Sequence, residues 1–344
     1  MSATAPMRMG IIGTGNIGAA YAQAIDSSDV VTLTAVCDLD ADRAKNVAGT
    51  DAVVFDSYEE LAASGLCDAV IVSTPPVTHE SVAIACLKSG LDVLCEKPFT
   101  LGEESALRMC NAASTEGRIL AMASKFRYVP DIALARELIR SGAIGDPTVV
   151  DVTFASPVDM TERWNSVVEI SGGGVLIDNG THAVDVVRYL VGPIKRVSAM
   201  RGRTFGIDDV EDTAMILAET GCQTIANIQV SWAVAAHNES YVVVRGKGGT
   251  IRIGWAESKY RQGDGGWKSF GTGYSKMEAL RANAEDFARC VQQREPMRIS
   301  TDDVLASVSV IEGAYRAIST GQWIEIESNS VSASMGKVAA SSMV

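Results

Sequence analysis

A glycine-rich turn between an apolar run and a helical run constrains this chain more than any other stretch. Met9-Gly10-Ile11-Ile12 is apolar and β-prone, Gly13-Thr14-Gly15-Asn16-Ile17-Gly18 follows, and residues 19–25 read as a helix. A second apolar run, residues 30–37, ends at Asp38. Strand, tight turn, helix and strand, with an acid closing the second strand, is the pattern of a dinucleotide site. Gly13 lets the chain turn. Gly15 carries no side chain that would hold a pyrophosphate off the backbone, and Gly18 lets the helix approach the strand. Thr14, Asn16 and Ile17 complete the turn, and the N–H groups at the helix start would meet the phosphates. Asp38, 20 residues past Gly18, is placed to bond the adenosine ribose hydroxyls. A 2′-phosphate would face Asp38 and Asp40, with no basic side chain at residues 39–42, so NAD is favoured over NADP. Arg43 and Lys45, on the following helix, are the groups that leave NADP open.

A chain of 344 residues has room for two domains, and 47% hydrophobic residues support substantial cores and argue against disorder. Its net charge of −12 disfavours nucleic acid and anionic membranes as partners. The seven cysteines form no CxxC pair and read as reduced, buried thiols of a cytoplasmic protein. The start lacks a basic segment followed by an apolar one, and no run of 18 apolar residues exists. Neither a signal peptide nor a membrane span is therefore expected.

Apolar runs near positions 9, 33, 53, 70, 93 and 120, each separated by a helical run, complete a Rossmann domain over residues 1–124. Residues 125–327 change character. Helices are expected at 130–140, 175–190, 275–292 and 302–320, and strands near 148–155, 195–203, 213–219, 224–232, 239–245, 250–255 and 323–327. Gly246-Lys247-Gly248-Gly249 reads as a hairpin turn, residues 258–274 as a surface loop, and 328–344 as a flexible tail. The fold class is α/β: an N-terminal Rossmann domain and a C-terminal α/β domain on a large open, mostly antiparallel or mixed sheet. An open face of that kind calls for a partner, so a homodimer or homotetramer built on the sheet is expected.

Ligands of an open parallel sheet lie past the carboxyl ends of its strands. Two such exits carry chemistry. Ser73-Thr74-Pro75 leaves the fourth strand, and His79 begins the next helix, where it touches cofactor or substrate, or else caps and packs locally. Glu96-Lys97-Pro98 leaves the fifth strand. A proline there can be cis and so direct the lysine. A lysine shielded from water beside a cationic nicotinamide has a lowered pKa and can exchange a proton. Farther on, Gly172-Gly173-Gly174 permits close backbone approach and opens a helix with Asp178, His182 and Asp185 on one face. Asp-x-x-x-His suits a proton relay, with His182 taking a hydroxyl proton and Asp178 binding substrate or steadying charge. It also supplies two metal ligands, but a third and fourth are missing nearby, so no metal is expected. Within Lys125-Phe126-Arg127-Tyr128, Arg127 reaches substrate hydroxyls or cofactor, or forms an interdomain ion pair. Trp164 and Asn165 offer a sugar an aromatic platform and a polar partner, although Trp164 also suits core packing. Trp232 and His237 line the pocket or meet a neighbouring subunit.

These pieces, in this order and at these separations, resemble the glucose-fructose oxidoreductase / inositol dehydrogenase / MocA family of NAD(P)-dependent enzymes. The resemblance implies hydride exchange between the nicotinamide and a carbon of a sugar, polyol or inositol, and oligomer contacts through the C-terminal sheet. It implies that Lys97 polarises or helps deprotonate the reacting oxygen, that Asp178 contacts substrate, and that His182 is the acid/base. Asn179 stands where an apolar residue is common in the family, which bears on substrate contacts or local packing. One rival is a dinucleotide-binding regulator without turnover; the joint presence of Lys97, Asp178 and His182 argues against it. Another is an NADPH-dependent keto-sugar or imine reductase, which Asp38 weakens.

Overall fold

Each apolar run of the N-terminal third becomes a short strand of one parallel sheet, buried on both faces where it is central. The computed structural model describes residues 5–204 and 210–327, so the expected tail at 328–344 lies outside the described residues. The strands are β1 (Met7–Ile12), β2 (Val31–Cys37), β3 (Val53–Phe55), β4 (Ala69–Val72), β5 (Asp92–Cys95) and β6 (Leu120–Met122). Between them run α1 (Asn16–Ile25), α2 (Ala41–Ala48), α3 (Tyr58–Ala63), α4 (His79–Lys88) and α5 (Glu103–Glu116). The strand order is β3-β2-β1-β4-β5-β6, so the winding reverses between β1 and β4. Registry matters here. Ile12 pairs with Cys37 and with Val72, and Val72 pairs with Cys95. Four strands thus end in line, and Gly13, Asp38, Ser73 and Glu96 leave the sheet side by side.

The second unit is built on a nine-stranded mixed sheet. Its chain runs through α6 (Pro130–Arg140), β7 (Pro147–Ala155), α7 (Val168–Ser171), α8 (Val175–Val191), β8 (Ile194–Arg201), β9 (Thr213–Thr220) and β10 (Ile225–Ser231). Then come β11 (Ser240–Gly246), β12 (Gly249–Gly254), β13 (Ser258–Gln262) and β14 (Lys268–Gly271). After α9 (Lys276–Gln293) and α10 (Thr301–Thr320), β15 (Ile324–Glu325) closes the edge, giving the order β14-β13-β12-β11-β7-β10-β9-β8-β15. β7 and β10 pair in parallel and the other neighbours antiparallel. Alternation sorts the faces. Ala214, Ile216, Ala218, Ala226, Ile228 and Val230 point inward, while Met215 and Leu217 point out. α8 is apolar around most of its girth, as a helix must be when it is buried.

Two expectations change. Residues 258–274, read as a loop, form the β13–β14 hairpin at the sheet edge. Trp267 near its turn lies over the guanidinium carbons of Arg252 and Arg261, at 4.5 and 5.2 Å from the ring centre. Such contacts leave no periodic trace in a stretch rich in glycine and lysine. Residues 276–305, placed by sequence in the domain at 125–327, belong instead with residues 5–125. α9 carries Leu280, Ala284, Phe287, Ala288 and Val291 on one face into the core around Met7, Met9, Ile11, Tyr21 and Ile25. Each fully buried Leu or Phe stabilises by about 1.5–3 kcal/mol. Each doubling of the intervening chain adds only about 0.6 kcal/mol of closure cost, so the return is favourable despite the long excursion. All seven cysteines are free thiols and all but Cys222 are buried. Among the described residues no helix is long and apolar enough to cross a membrane.

Candidate active site

The glycine turn explains itself atom by atom. Gly13 has φ +90°, and a Cβ there would lie 2.7 Å from the Ser73 carbonyl carbon and the Thr74 nitrogen. A Cβ at Gly18 would lie 2.0 Å from the Gly13 carbonyl oxygen. A Cβ at Gly15 would meet nothing within 4 Å, so the protein's own packing does not demand that glycine. Gly15 is also the N-cap of α1, with no side-chain cap and no acid in the first turn. The helix therefore presents bare N–H groups and its positive end, from Asn16 onward, beside a backbone that a pyrophosphate can approach. The observed turn fits the dinucleotide implied by the sequence. The Ile17 side chain is partly buried against the core.

Thr14 is 1% exposed, and its N–H (2.6 Å) and hydroxyl (2.9 Å) both donate to Asp38 Oδ2. The Asp40 N–H donates to Asp38 Oδ1 at 2.9 Å. The carboxylate is thus fixed beside the turn, with a lone pair of Oδ1 still available for a hydroxyl donor. Arg43, the basic group that left a 2′-phosphate open, pairs with Asp40 at 3.1 Å. The Arg43 N–H and guanidinium hold the Asp40 carboxyl below the usual range.

At the β4 exit, the Ser73 hydroxyl donates to the Gly13 carbonyl at 2.7 Å, tying the two loops together. His79 is 1% exposed, and backbone carbonyls surround its ring. Its Nδ1 lies 3.1 and 3.2 Å from the Pro98 and Phe99 carbonyls, and its Nε2 lies 2.8 Å from that of Thr74. The ring is a clasp between the β4 and β5 exits, which is the local-packing alternative. Burial lowers its pKa, and the three carbonyls oppose the shift. At the β5 exit, the Lys97–Pro98 peptide is cis, and Lys97 is partly buried. Glu96 is 5% exposed and accepts the Lys97 N–H at 3.0 Å. Burial raises its pKa, against the charges of Lys125 and Lys97 and a hydrogen bond from Tyr21. The Tyr21 hydroxyl in turn donates to Asn283 Oδ1 on α9 at 3.1 Å. Neither Tyr21 nor Asn283 stood out in the sequence, because their link spans 262 residues.

In the second unit, the first turn of α8 carries Asp178 and Asn179, both partly buried. His182 follows one turn later at 5% exposure, its ring edge-on to Phe126 at 5.0 Å between centroids. Phe126 stacks on Phe154 (4.9 Å) and Tyr274 (5.2 Å), so an aromatic wall orients the imidazole. Asp185 lies a turn further along the same helix. It binds Arg127 through three contacts of 2.6–3.0 Å, with Arg127 3% and Asp185 0% exposed. Arg127, expected at cofactor or substrate or else in an ion pair, thus has a buried ion-pair partner within the second unit. Breaking such a pair from one side costs about 3–5 kcal/mol, which gives this arginine a structural reason to be present. Trp164 begins a short 3-10 turn and is 38% exposed, so core packing does not explain it; Asn165 beside it is partly buried. Trp232 is 4% exposed and its backbone N–H donates to the Asp212 carbonyl at 2.7 Å, whereas His237 is exposed. Among the described residues no group of three or more His, Cys, Asp or Glu could hold a metal ion.

A parallel sheet wound in this order, with a glycine turn at its reversal and an acid beside it, defines a protein of the dinucleotide-binding oxidoreductase class. Residues 7–124 match the family model described as oxidoreductase family, NAD-binding Rossmann fold, and residues 132–252 match the GFO/IDH/MocA C-terminal domain. The chain belongs to the Gfo/Idh/MocA family of Rossmann-fold oxidoreductases. It is 26% identical over 316 residues to the rhizopine catabolism protein MocA of Rhizobium meliloti, covering 91% of this chain and 95% of that one. It is 30% identical over 265 residues to an inositol 2-dehydrogenase of Rhodococcus erythropolis, covering 74% and 73%. Among solved structures, GenD2 from gentamicin A biosynthesis, in complex with NAD, superposes with a TM-score of 0.83 at 28% identity, covering 94% of this chain and 97% of that one.

Proposed function

We propose that this chain is an NAD-dependent dehydrogenase that exchanges a hydride between the nicotinamide and a secondary alcohol or ketone carbon of a sugar, polyol or inositol. The observation that carries the reading is the row of in-register strand exits, which sets Gly13–Gly15, Asp38, Ser73–Pro75 and Glu96–Lys97 along one edge of the sheet. The names of the inositol 2-dehydrogenase and NAD-bound GenD2 relatives support the substrate class and the cofactor. NAD over NADP follows from Asp38 at the ribose position and from the engagement of Arg43 by Asp40.

The bound nicotinamide supplies the hydride acceptor or donor, and the chain's own residues do the rest. The N–H groups from Gly15 to Gly18 would hold the pyrophosphate, and Asp38 would accept a hydrogen bond from a ribose hydroxyl. Lys97 polarises the reacting oxygen, and His182 takes or returns its proton. Asp178, Asn179, Trp164 and Asn165 orient the remaining hydroxyls. Placement of these groups contributes more than base strength, since an unassisted imidazole is a moderate base.

The test is a panel of inositols, aldoses and their keto forms with NAD(H) and NADP(H), read at the absorbance of reduced nicotinamide. The expected result is turnover of at least one cyclic polyol or aldose, with kcat/KM at least about tenfold lower for NADP because like charges face each other at the ribose. Tight NAD binding without turnover of any compound would favour the regulator instead.

The outer face of β8–β10 exposes Met200 (66%), Met215 (39%), Leu217 (43%) and Ile225 (48%). We read it as the surface on which copies of the chain meet as a dimer or tetramer. Light scattering should find that assembly, and Leu217→Glu should shift it toward smaller species. A monomer at all concentrations would remove the proposal.

A further inference from the structure

The start of α8 is held in an unusual way. A helix leaves its first N–H groups without intrahelical partners, and a Ser, Thr, Asp or Asn at the N-cap commonly answers one of them. Here the N-cap is Gly174, which has no side chain to offer. Glu211, 37 residues later and 7% exposed, answers three in succession. Its Oε1 accepts the Gly174 and Leu176 N–H groups, each at 3.0 Å, and its own carbonyl accepts the Val175 N–H at 2.8 Å. The Tyr315 hydroxyl, from α10, donates to the same Oε1 at 2.9 Å. Burial, followed by the Glu211 charge, raises the Tyr315 pKa far above its ordinary value, so the phenol keeps its proton.

The triple glycine now has a different explanation from ligand approach. A Cβ at Gly173 would lie 2.0 Å from the Tyr315 hydroxyl, and one at Gly174 would lie 1.9 Å from the Glu211 carbonyl oxygen. Gly172 adopts φ +77° to end α7. The glycine run is the socket for this carboxylate and phenol. For stability alone, a local N-cap serine would supply about 1 kcal/mol. A cap assembled from three separate chain segments does more, because it pins both the height and the rotation of the helix. Asp178 sits in the very turn that is pinned, and His182 one turn beyond.

We propose that Glu211 and Tyr315 are positioning residues for proton transfer, fixing the start of α8 and thereby the aim of Asp178 and His182. This rests on the dehydrogenase reading above. The test compares Glu211→Ala, Glu211→Gln and Tyr315→Phe. Glu211→Ala should lower kcat about 100-fold and Tyr315→Phe about tenfold, with NAD affinity within about twofold of the parent, since a displacement near 1 Å costs on that order. Glu211→Gln keeps an oxygen for all three donors and should stay within about threefold of the parent. If Glu211→Ala does not fold, Tyr315→Phe and Glu211→Gln carry the comparison. A lower melting temperature with kcat per folded molecule unchanged in Tyr315→Phe would overturn the proposal, as would a Glu211→Gln loss as deep as that of Glu211→Ala.

A second readout separates this from failure of the dehydrogenase reading. The chain has three histidines, so the His182 imidazole can be followed by NMR even if no substrate is found. Its signals should shift or broaden in Tyr315→Phe and Glu211→Ala and return in Glu211→Gln, while those of His79 and His237 stay. An unmoved His182 signal would end the positioning role whatever the substrate is.

Discussion

His182→Ala is expected to lower kcat by about 10²–10⁴-fold while the affinity for NAD changes by less than about twofold. The magnitude is that of a positioned general base. The separation of the two effects follows from where the groups reside. The glycine turn and Asp38 belong to the first unit, and His182 to α8 of the second. Removing the imidazole leaves the aromatic wall of Phe126, Phe154 and Tyr274 standing, so the loss should be chemical, not structural. Steady-state kinetics on the best substrate of the panel, paired with an NAD titration, check it. Unchanged turnover would withdraw the acid/base role.

Gly18→Ala and Gly15→Ala should fail in opposite ways. At Gly18 the added Cβ meets the Gly13 carbonyl oxygen at 2.0 Å and the Ser73 hydroxyl at 2.9 Å. The first of these is backbone, locked between the ends of β1 and β4, and cannot step aside. The expected loss exceeds about 5 kcal/mol, enough to prevent folding of an ordinary domain. At Gly15 the Cβ meets nothing within 4 Å, and φ −64° is ordinary for alanine. Stability should therefore change by less than about 1 kcal/mol. NAD affinity should nonetheless fall by about tenfold or more if, as proposed, the methyl group intrudes where backbone N–H groups would meet the pyrophosphate. Urea unfolding and an NAD titration on both variants distinguish the two. If Gly15→Ala binds NAD as tightly as the parent, the cradle lies elsewhere.

The candidate site residues were unequally legible. The glycine turn, Asp38 and the strand exits at Ser73 and Glu96 were readable because each depends on local chain geometry: a positive φ, a strand that ends, a helix that begins. The i, i+4 spacing likewise placed Asp178 and His182 on one helical face. The hydrogen-bond partners of Arg127, His79 and the triple glycine were not readable in the same way. Arg127 finds Asp185 58 residues away, His79 finds carbonyls of the next strand exit, and Gly174 finds Glu211 37 residues on.

The order of apolar runs and turn residues was enough to establish a Rossmann unit followed by a sheet-rich unit, since burial of one face and the freedom of glycine are properties of short segments. The return of α9 to the first unit, the hairpin at Ser258–Gln262 and Lys268–Gly271, and the Glu211–Tyr315 socket came from the folded chain. Periodicity states that a face must be covered and that a polar group must be satisfied. Which distant segment does so is settled by the free energy of the assembled packing, and no local pattern encodes it.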